Sequence, residues 1–313
     1  MALFSTAFNP APEGGSETYV TSYDGVKIRC AYWKPAVPLI KGTITIVQGF
    51  SEYIEKYFEV IEDLRQRGFH VVAFDFRGQG GSDRLLKDPL KGHVDSLDDF
   101  VADLTAVLDE VSLPNFPGPH YILSHSLGGA VTLLAHERLR TKIDRIVMTS
   151  PLIQAAEPQP VIIAARFLSR WLSLIGLGGA YVPGVSTDAF KPFQSNKLTS
   201  SVDRFSILER TLKEKSSLCV KAPTVGWIHA ASESLLHFKK EVFGQSLTIP
   251  TLVIAAGSDQ VISTSAIEEL CRRSPVLGYL EIQGAKHDLM VEADRYRDQY
   301  WAAFDAFVPG SSD

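Results

Sequence analysis

The chain has 313 residues, 45% of them hydrophobic, which is enough for one large core with an insertion or for two domains. Its 31 Lys and Arg against 36 Asp and Glu leave a net charge of −5 with no Lys/Arg-rich tail, a balance that argues against nucleic acid as a partner. Three cysteines, Cys30, Cys219 and Cys271, are odd in number and far apart, so a disulfide framework is not expected and a reducing compartment is.

Met1 to Gly15 lacks a basic stretch followed by an apolar one, so no signal peptide is expected. Pro10, Pro12, Gly14 and Gly15 predict a flexible arm over residues 1–16. Asp24-Gly25 between Glu17–Ser22 and Val26–Trp33 predicts an antiparallel hairpin. The rhythm then changes. Gly42–Gln48 reads as a buried strand, and Tyr53, Tyr57, Val60, Ile61 and Leu64 read as a helix stopped by Gly68. His70–Phe74 is the next strand. An apolar stripe from Leu97 to Val111 follows, opened by Ser96 and Asp99 as an N-cap pair. His120–Ser124, Leu127–Leu139 and Ile143–Thr149 read as strand, helix and strand. This alternation argues for a parallel sheet covered on both faces.

From Leu152 to about Lys240 the alternation breaks, and the pattern there is mostly helical. It resumes with Thr251–Ala255, Ala266–Arg273, Val276–Ile282 and Asp294–Val308. The expected organisation is an α/β core over residues 17–151 and 241–313, interrupted after its sixth strand by a helical cap over residues 152–240. No stretch approaches the ~18 uninterrupted apolar residues of a spanning helix, so a soluble, cytoplasmic protein is expected, with peripheral membrane contact left open. No feature specifies an oligomeric state.

Ser126 lies where the apolar strand Tyr121–Ser124 turns sharply into a helix, in Ser124-His125-Ser126-Leu127-Gly128. Such a corner pushes a serine side chain out above the sheet and leaves a free N–H at the first helical residue. Small residues must flank it at minus two and plus two, and these are Ser124 and Gly128. A nucleophilic serine needs a base, a carboxylate to orient that base, and donors for the oxyanion. In a parallel sheet these converge at the carboxyl ends of the strands.

Of eight histidines, His70 and His120 begin strands, His136 is inside a helix, and His229 and His237 belong to the cap. His93 reads as a loop residue, and His125 is turned away from Ser126 by the elbow. His287, just past the last strand, is the candidate base. Asp259, directly after Thr251–Ala255, is the candidate carboxylate; Asp288 and Glu292 are poorer ones, since neighbours of the histidine cannot easily reach its far nitrogen. The N–H groups of Phe50, beside Gly49, and of Leu127 are the candidate oxyanion donors. No metal or organic cofactor is implied: there is no His-x-x-x-His or Cys-x-x-Cys pair and no dinucleotide fingerprint.

These residues resemble the lysophospholipase and monoglyceride-lipase branch of the α/β-hydrolases, often grouped with serine aminopeptidase-like proteins. Phe74-Asp75-Phe76-Arg77-Gly78-Gln79-Gly80-Gly81-Ser82 is similar to that family's Asp-x-Arg-Gly-x-Gly-x-Ser loop, with Asp75 and Arg77 read as structural. Arg84–Pro89, Gly92-His93-Val94, and Pro223-Thr224 followed by Trp227 look like bacterial lysophospholipases. Many relatives carry His-Gly where this chain has Gln48-Gly49, and the usual elbow has glycine where it has Ser124.

The resemblance implies a serine esterase acting on a lipid-like ester, a lysophospholipid or monoacylglycerol. An esterase or carbon–carbon hydrolase for small soluble substrates, an aminopeptidase, and a non-catalytic scaffold are the alternatives. Within the cap, Phe167 and Trp171 in the apolar stretch Val161–Gly179, and Trp227, are the candidate substrate-binding residues. That stretch reads either as a helix packed on the core or as an acyl-binding or membrane-facing surface. The cap carries 11 Lys/Arg against 6 Asp/Glu, a net of +5, leaving −10 for the rest. This suits either an anionic lipid surface or attraction between cap and body.

Overall fold

The computed structural model describes residues 3–185 and 192–309; residues 186–191 of the expected cap lie outside the described residues. One eight-stranded sheet is built from β1 (Ser16–Thr21), β2 (Lys27–Trp33), β3 (Gly42–Val47), β4 (Phe69–Phe74), β5 (His120–His125), β6 (Arg145–Thr149), β7 (Thr251–Ala256) and β8 (Leu277–Ile282). Their spatial order is β1-β2-β4-β3-β5-β6-β7-β8. The β1–β2 hairpin joins β4 antiparallel, and every other neighbouring pair runs parallel. All six residues of β3 and all six of β4 are buried, which is why both lack charged residues and are built almost entirely from β-branched, aromatic and small side chains, Thr43, Thr45 and His70 being the buried polar ones.

Helices cover both faces. Phe58, Ile61 and Leu64 of α1 (Phe58–Gln66) pack with Ile44, Val71, Tyr300 and Phe304 on one side. Phe100 and Leu104 of α2 (Leu97–Val107) and Val131 of α3 (Leu127–Leu134) pack with Val72, Ile122 and Met148 on the other. The Ser96 hydroxyl caps α2 by accepting from the Asp98 N–H at 3.1 Å, while Asp99 instead accepts from the Tyr23 hydroxyl at 2.7 Å. The helix expected to run to Leu139 stops at Leu134 and restarts as a single turn, His136–Leu139.

After β6, the sixth strand, the chain leaves the sheet and carries α4 (Gln159–Leu174), α5 (Val202–Glu214), α6 (Val225–Ser234) and α7 (Glu241–Ser246) before β7 returns it. The fold is therefore that of an α/β-hydrolase with a mostly helical insertion. Helices α8 (Thr264–Arg272) and α9 (Asp294–Phe307) complete the layers. Helix α4 lies on α6, and Ser169 is its one buried residue. Its apolar stripe therefore faces outward and is not packed on the core. Residues 3–15 carry no helix or strand, yet Trp33 Nε1 donates to Pro12 O at 3.1 Å and Asn9 Nδ2 to Glu55 O at 2.9 Å.

Candidate active site

Ser126 sits between the end of β5 and the start of α3 with φ +50° and ψ −115°. A non-glycine residue held there carries strain of about 1–3 kcal/mol, a cost that persists where the surroundings impose it. They do so here. The Ser126 N–H donates to Thr149 O at 3.1 Å, and its carbonyl accepts from the Leu152 N–H at 2.9 Å. A Cβ on Gly128 would lie 2.1 Å from Val47 O, so the plus-two position has no room for a side chain. At minus two the Ser124 side chain is accommodated, fully buried, with its hydroxyl unpartnered.

His287 follows β8 and is 3% exposed. Its Nε2 is 3.1 Å from Ser126 Oγ, and its Nδ1 is 2.7 Å from Asp259 Oδ2. The other Asp259 oxygen accepts from Val261 N at 2.8 Å and Ile262 N at 3.0 Å. A carboxylate can only accept, so the proton of the neutral ring belongs on Nδ1, which leaves the Nε2 lone pair facing the serine hydroxyl. Burial pushes the Asp259 carboxyl up, but the His287 contact and the two backbone N–H groups outweigh it and hold the group below its usual value. The three residues come from three separate strand ends, which is where the sequence places them.

Leu127 is the first residue of α3, so its N–H has no carbonyl partner within the helix. Phe50 follows β3, and its N–H makes no hydrogen bond among the described residues. The loop carrying Phe50 is held by side chains. Glu52 accepts from the Gly49 N–H, Gln79 accepts from the Ser51 N–H, and Gln48 Nε2 donates to Asp75 Oδ1 at 3.3 Å. Asp75 also accepts from Ile54 N at 2.8 Å and Gly81 N at 2.7 Å, and Arg77 pairs with Asp103 at 2.7 Å. Both are structural ties, as expected.

Beneath the His287 ring lies a second polar group with no marker in the sequence, because Glu52 and Lys56 have the i,i+4 spacing of any helical surface pair. The Lys56 ammonium pairs with Glu52 and with Asp288, and all three are buried. Its attraction to the two carboxylates outweighs burial and raises its pKa, while Asp288 is held low. His125, turned from Ser126, packs against His287 in a tilted contact with ring centroids 4.9 Å apart, and its Nδ1 meets Thr149 Oγ1 at 3.0 Å. Burial pushes its imidazole below the usual range. Glu52, His125 and Asp288 bring ligand-type atoms within 4.8 Å of one another, but the Lys56 ammonium already supplies the positive charge at that point.

Trp227 is buried, with its ring centroid 4.6 Å from that of Phe50. Phe167 and Trp171 are 59% and 65% exposed, so the three substrate-binding candidates do not share one wall. Two of the three stretches that looked like bacterial lysophospholipases meet each other. Lys91-Gly92 pairs in parallel with Ala222-Pro223, and His93 Nδ1 is 2.8 Å from Thr224 Oγ1.

Residues 39–294 match the family model Hydrolase_4, described as "Serine aminopeptidase, S33". The chain belongs to this family. Lysophospholipase L2 of Escherichia coli K12 is 31% identical over 262 residues, covering 81% of this chain and 76% of that protein. Monoglyceride lipase of Rattus norvegicus is 30% identical over 167 residues, about half of each chain. Among solved structures, a soluble variant of the Saccharomyces cerevisiae monoglyceride lipase superposes with a TM-score of 0.75 at 18% identity, covering 96% of this chain and 97% of that one. No helix among the described residues is long and apolar enough to cross a membrane.

Proposed function

We propose that this hydrolase cleaves a carboxylic ester of a lipid-like substrate, a lysophospholipid or monoacylglycerol, through an acyl-enzyme intermediate. The reading is carried by the line of contacts from Ser126 Oγ through His287 to Asp259 at 3.1 and 2.7 Å. Ser126 attacks the ester carbonyl as His287 Nε2 takes its proton, and the Phe50 and Leu127 N–H groups receive the developing oxyanion. The leaving alcohol takes the proton from His287. Water, deprotonated by the same imidazole, then releases the fatty acid. Asp259 holds the imidazole in the required tautomer throughout.

The choice of a lipid-like ester rests on the named relatives and on the insertion, which we read as a cap over residues 152–240. Its helix α4 exposes Phe167, Leu168, Trp171 and Leu174, an apolar surface suited to a bilayer or to acyl chains. The expected measurement is a hydrolysis panel of lysophosphatidylcholine, lysophosphatidylethanolamine, monoacylglycerol, short nitrophenyl esters and peptides with a free N-terminus. Lipid esters should be the best substrates, and Ser126→Ala should abolish turnover and fluorophosphonate labelling without unfolding the chain. Wild-type turnover by that variant would disprove the nucleophile, and preference for short esters or peptides would overturn the substrate class.

A further inference from the structure

Glu292 has no place in the reaction above, yet it is fully buried five residues after His287. One of its oxygens accepts from the Lys286 N–H at 2.9 Å, next to the histidine. The other accepts from the Ser200 N–H at 2.9 Å, the Ser200 hydroxyl at 2.6 Å and the Ala293 N–H at 2.7 Å. Ser200 lies in the insertion between β6 and β7, far away in sequence. The same stretch touches the histidine loop at further points: Asp288 N donates to Leu198 O at 2.8 Å, Thr199 Oγ1 to Val291 O at 2.7 Å and to Glu292 at 3.4 Å, and Lys286 Nζ to Asn196 O at 3.0 Å and Thr199 O at 3.4 Å. The stretch is itself a tight turn, because Asn196 Oδ1 accepts from Leu198 N at 2.7 Å and Thr199 N at 3.2 Å.

We propose that Glu292 is a positioning residue whose carboxylate clasps the His287 loop to Ser200 of the insertion, so that the imidazole is in place only while that stretch is seated. The inference rests on the proposed role of His287. A buried carboxylate met by several N–H and O–H donors makes short, charge-assisted bonds that fix the backbone it joins. The Asp259 and Ser126 contacts orient the ring, but neither fixes the loop that carries it. Gln cannot replace Glu here without turning its NH2 onto a donor, since backbone N–H groups face both oxygens: Lys286 at one, Ser200 and Ala293 at the other.

The test uses the full chain with Glu292→Gln, Ser200→Ala and the double variant. Misplacing a base by about an ångström costs on the order of a hundredfold in rate. Glu292→Gln is therefore expected to lower kcat by at least about tenfold with KM held within about twofold, and Ser200→Ala by less. The double variant should fall short of the product of the two effects, because both cut one network. A second readout needs no substrate. The downfield imidazole proton between His287 Nδ1 and Asp259, assigned by its loss in His287→Ala, should broaden or vanish in Glu292→Gln and persist in Ser126→Ala. A folded Glu292→Gln with wild-type kcat, multiplicative single effects, or an unchanged imidazole resonance would overturn the clasp. Should Glu292→Gln not fold, Ser200→Ala decides, and a wild-type resonance there counts against the proposal. Failure of the wild-type chain to hydrolyse esters would instead strike the proposed reaction, leaving the resonance to judge the clasp.

Discussion

Asp259 is separated from the other carboxylates near the site by how it is satisfied. Its Oδ1 takes two backbone N–H groups, so an amide at this position must keep its oxygen there and turn its NH2 toward His287. Asp259→Asn should therefore drive the ring into the wrong tautomer and lower kcat by about 10³–10⁴-fold with the fold intact. Because its pKa lies below the ordinary 3.8, this group stays ionised from neutral pH down past that value. Its contribution to stability is present in full above 3.8 and is lost as pH falls through the lower folded value. Protonation of Asp259 should accordingly contribute nothing to any loss of kcat/KM between pH 7 and 4.5, and an Asp259 carboxyl resonance that titrates in that window would contradict it. Ser124 makes a different case. Its hydroxyl is buried without a partner, so Ser124→Ala should leave the protein as stable or up to about 1 kcal/mol more so in a urea melt. Gly128→Ala should cost about 3 kcal/mol, since its Cβ would meet backbone oxygen that cannot swing aside.

At the scale of elements, the strand–turn–helix alternation and the strand-end loops were legible because each depends on local pattern. β3 and β4 are short uncharged runs rich in β-branched and aromatic residues, Gly68 marks the end of a helix, and Ser126 sits between an apolar strand and a glycine pair. Contacts that join distant segments through one or two residues left no such pattern. The pairing of Lys91-Gly92 with Ala222-Pro223 is too short to show periodicity, and Glu52, Lys56 and Glu292 look like ordinary surface charges until the loops close over them. The proline and glycine content of residues 3–15 signalled the missing helix or strand but carries no sign of the Trp33 and Glu55 contacts. The apolar stripe of α4 was equally visible, but periodicity cannot distinguish packing inward from facing out. The small pairing also supports the proposed oxyanion loop from outside. A Cβ on Gly92 would lie 2.4 Å from the Phe50 ring, so Gly92→Ala should displace that residue and lower kcat by about tenfold on a soluble ester. Unchanged kcat would free the Phe50 N–H from its proposed role.

On the scale of the whole molecule, charge and exposed apolar surface make separate arguments about a lipid partner. The insertion is basic and the body acidic, but part of that split is spent between them: Arg204 pairs with Glu59 and Asp294, both outside the insertion. Arg166 pairs with Glu233 within it. Part of the charge asymmetry therefore serves docking of the insertion on the body, and the stronger case for a membrane comes from α4. Its outward residues include Trp171 at 65% and Leu174 at 70% exposure, with Ile175 at 68% just beyond. Withdrawing large side chains like these from water is worth about 1.5–3 kcal/mol each at full burial. Trp171→Ser with Leu174→Ser should then lose about 3 kcal/mol of vesicle binding, roughly a hundredfold in partition coefficient. Neither side chain is near the core, so the melting temperature and turnover of a soluble short-chain ester should stay at wild type. Added anionic lipid should strengthen binding of both proteins and salt should weaken it, while the gap between them persists in neutral phosphatidylcholine vesicles, because it is apolar in origin. Sedimentation with vesicles of the two compositions measures all of this, and equal binding by the double variant would remove α4 as the lipid-facing surface.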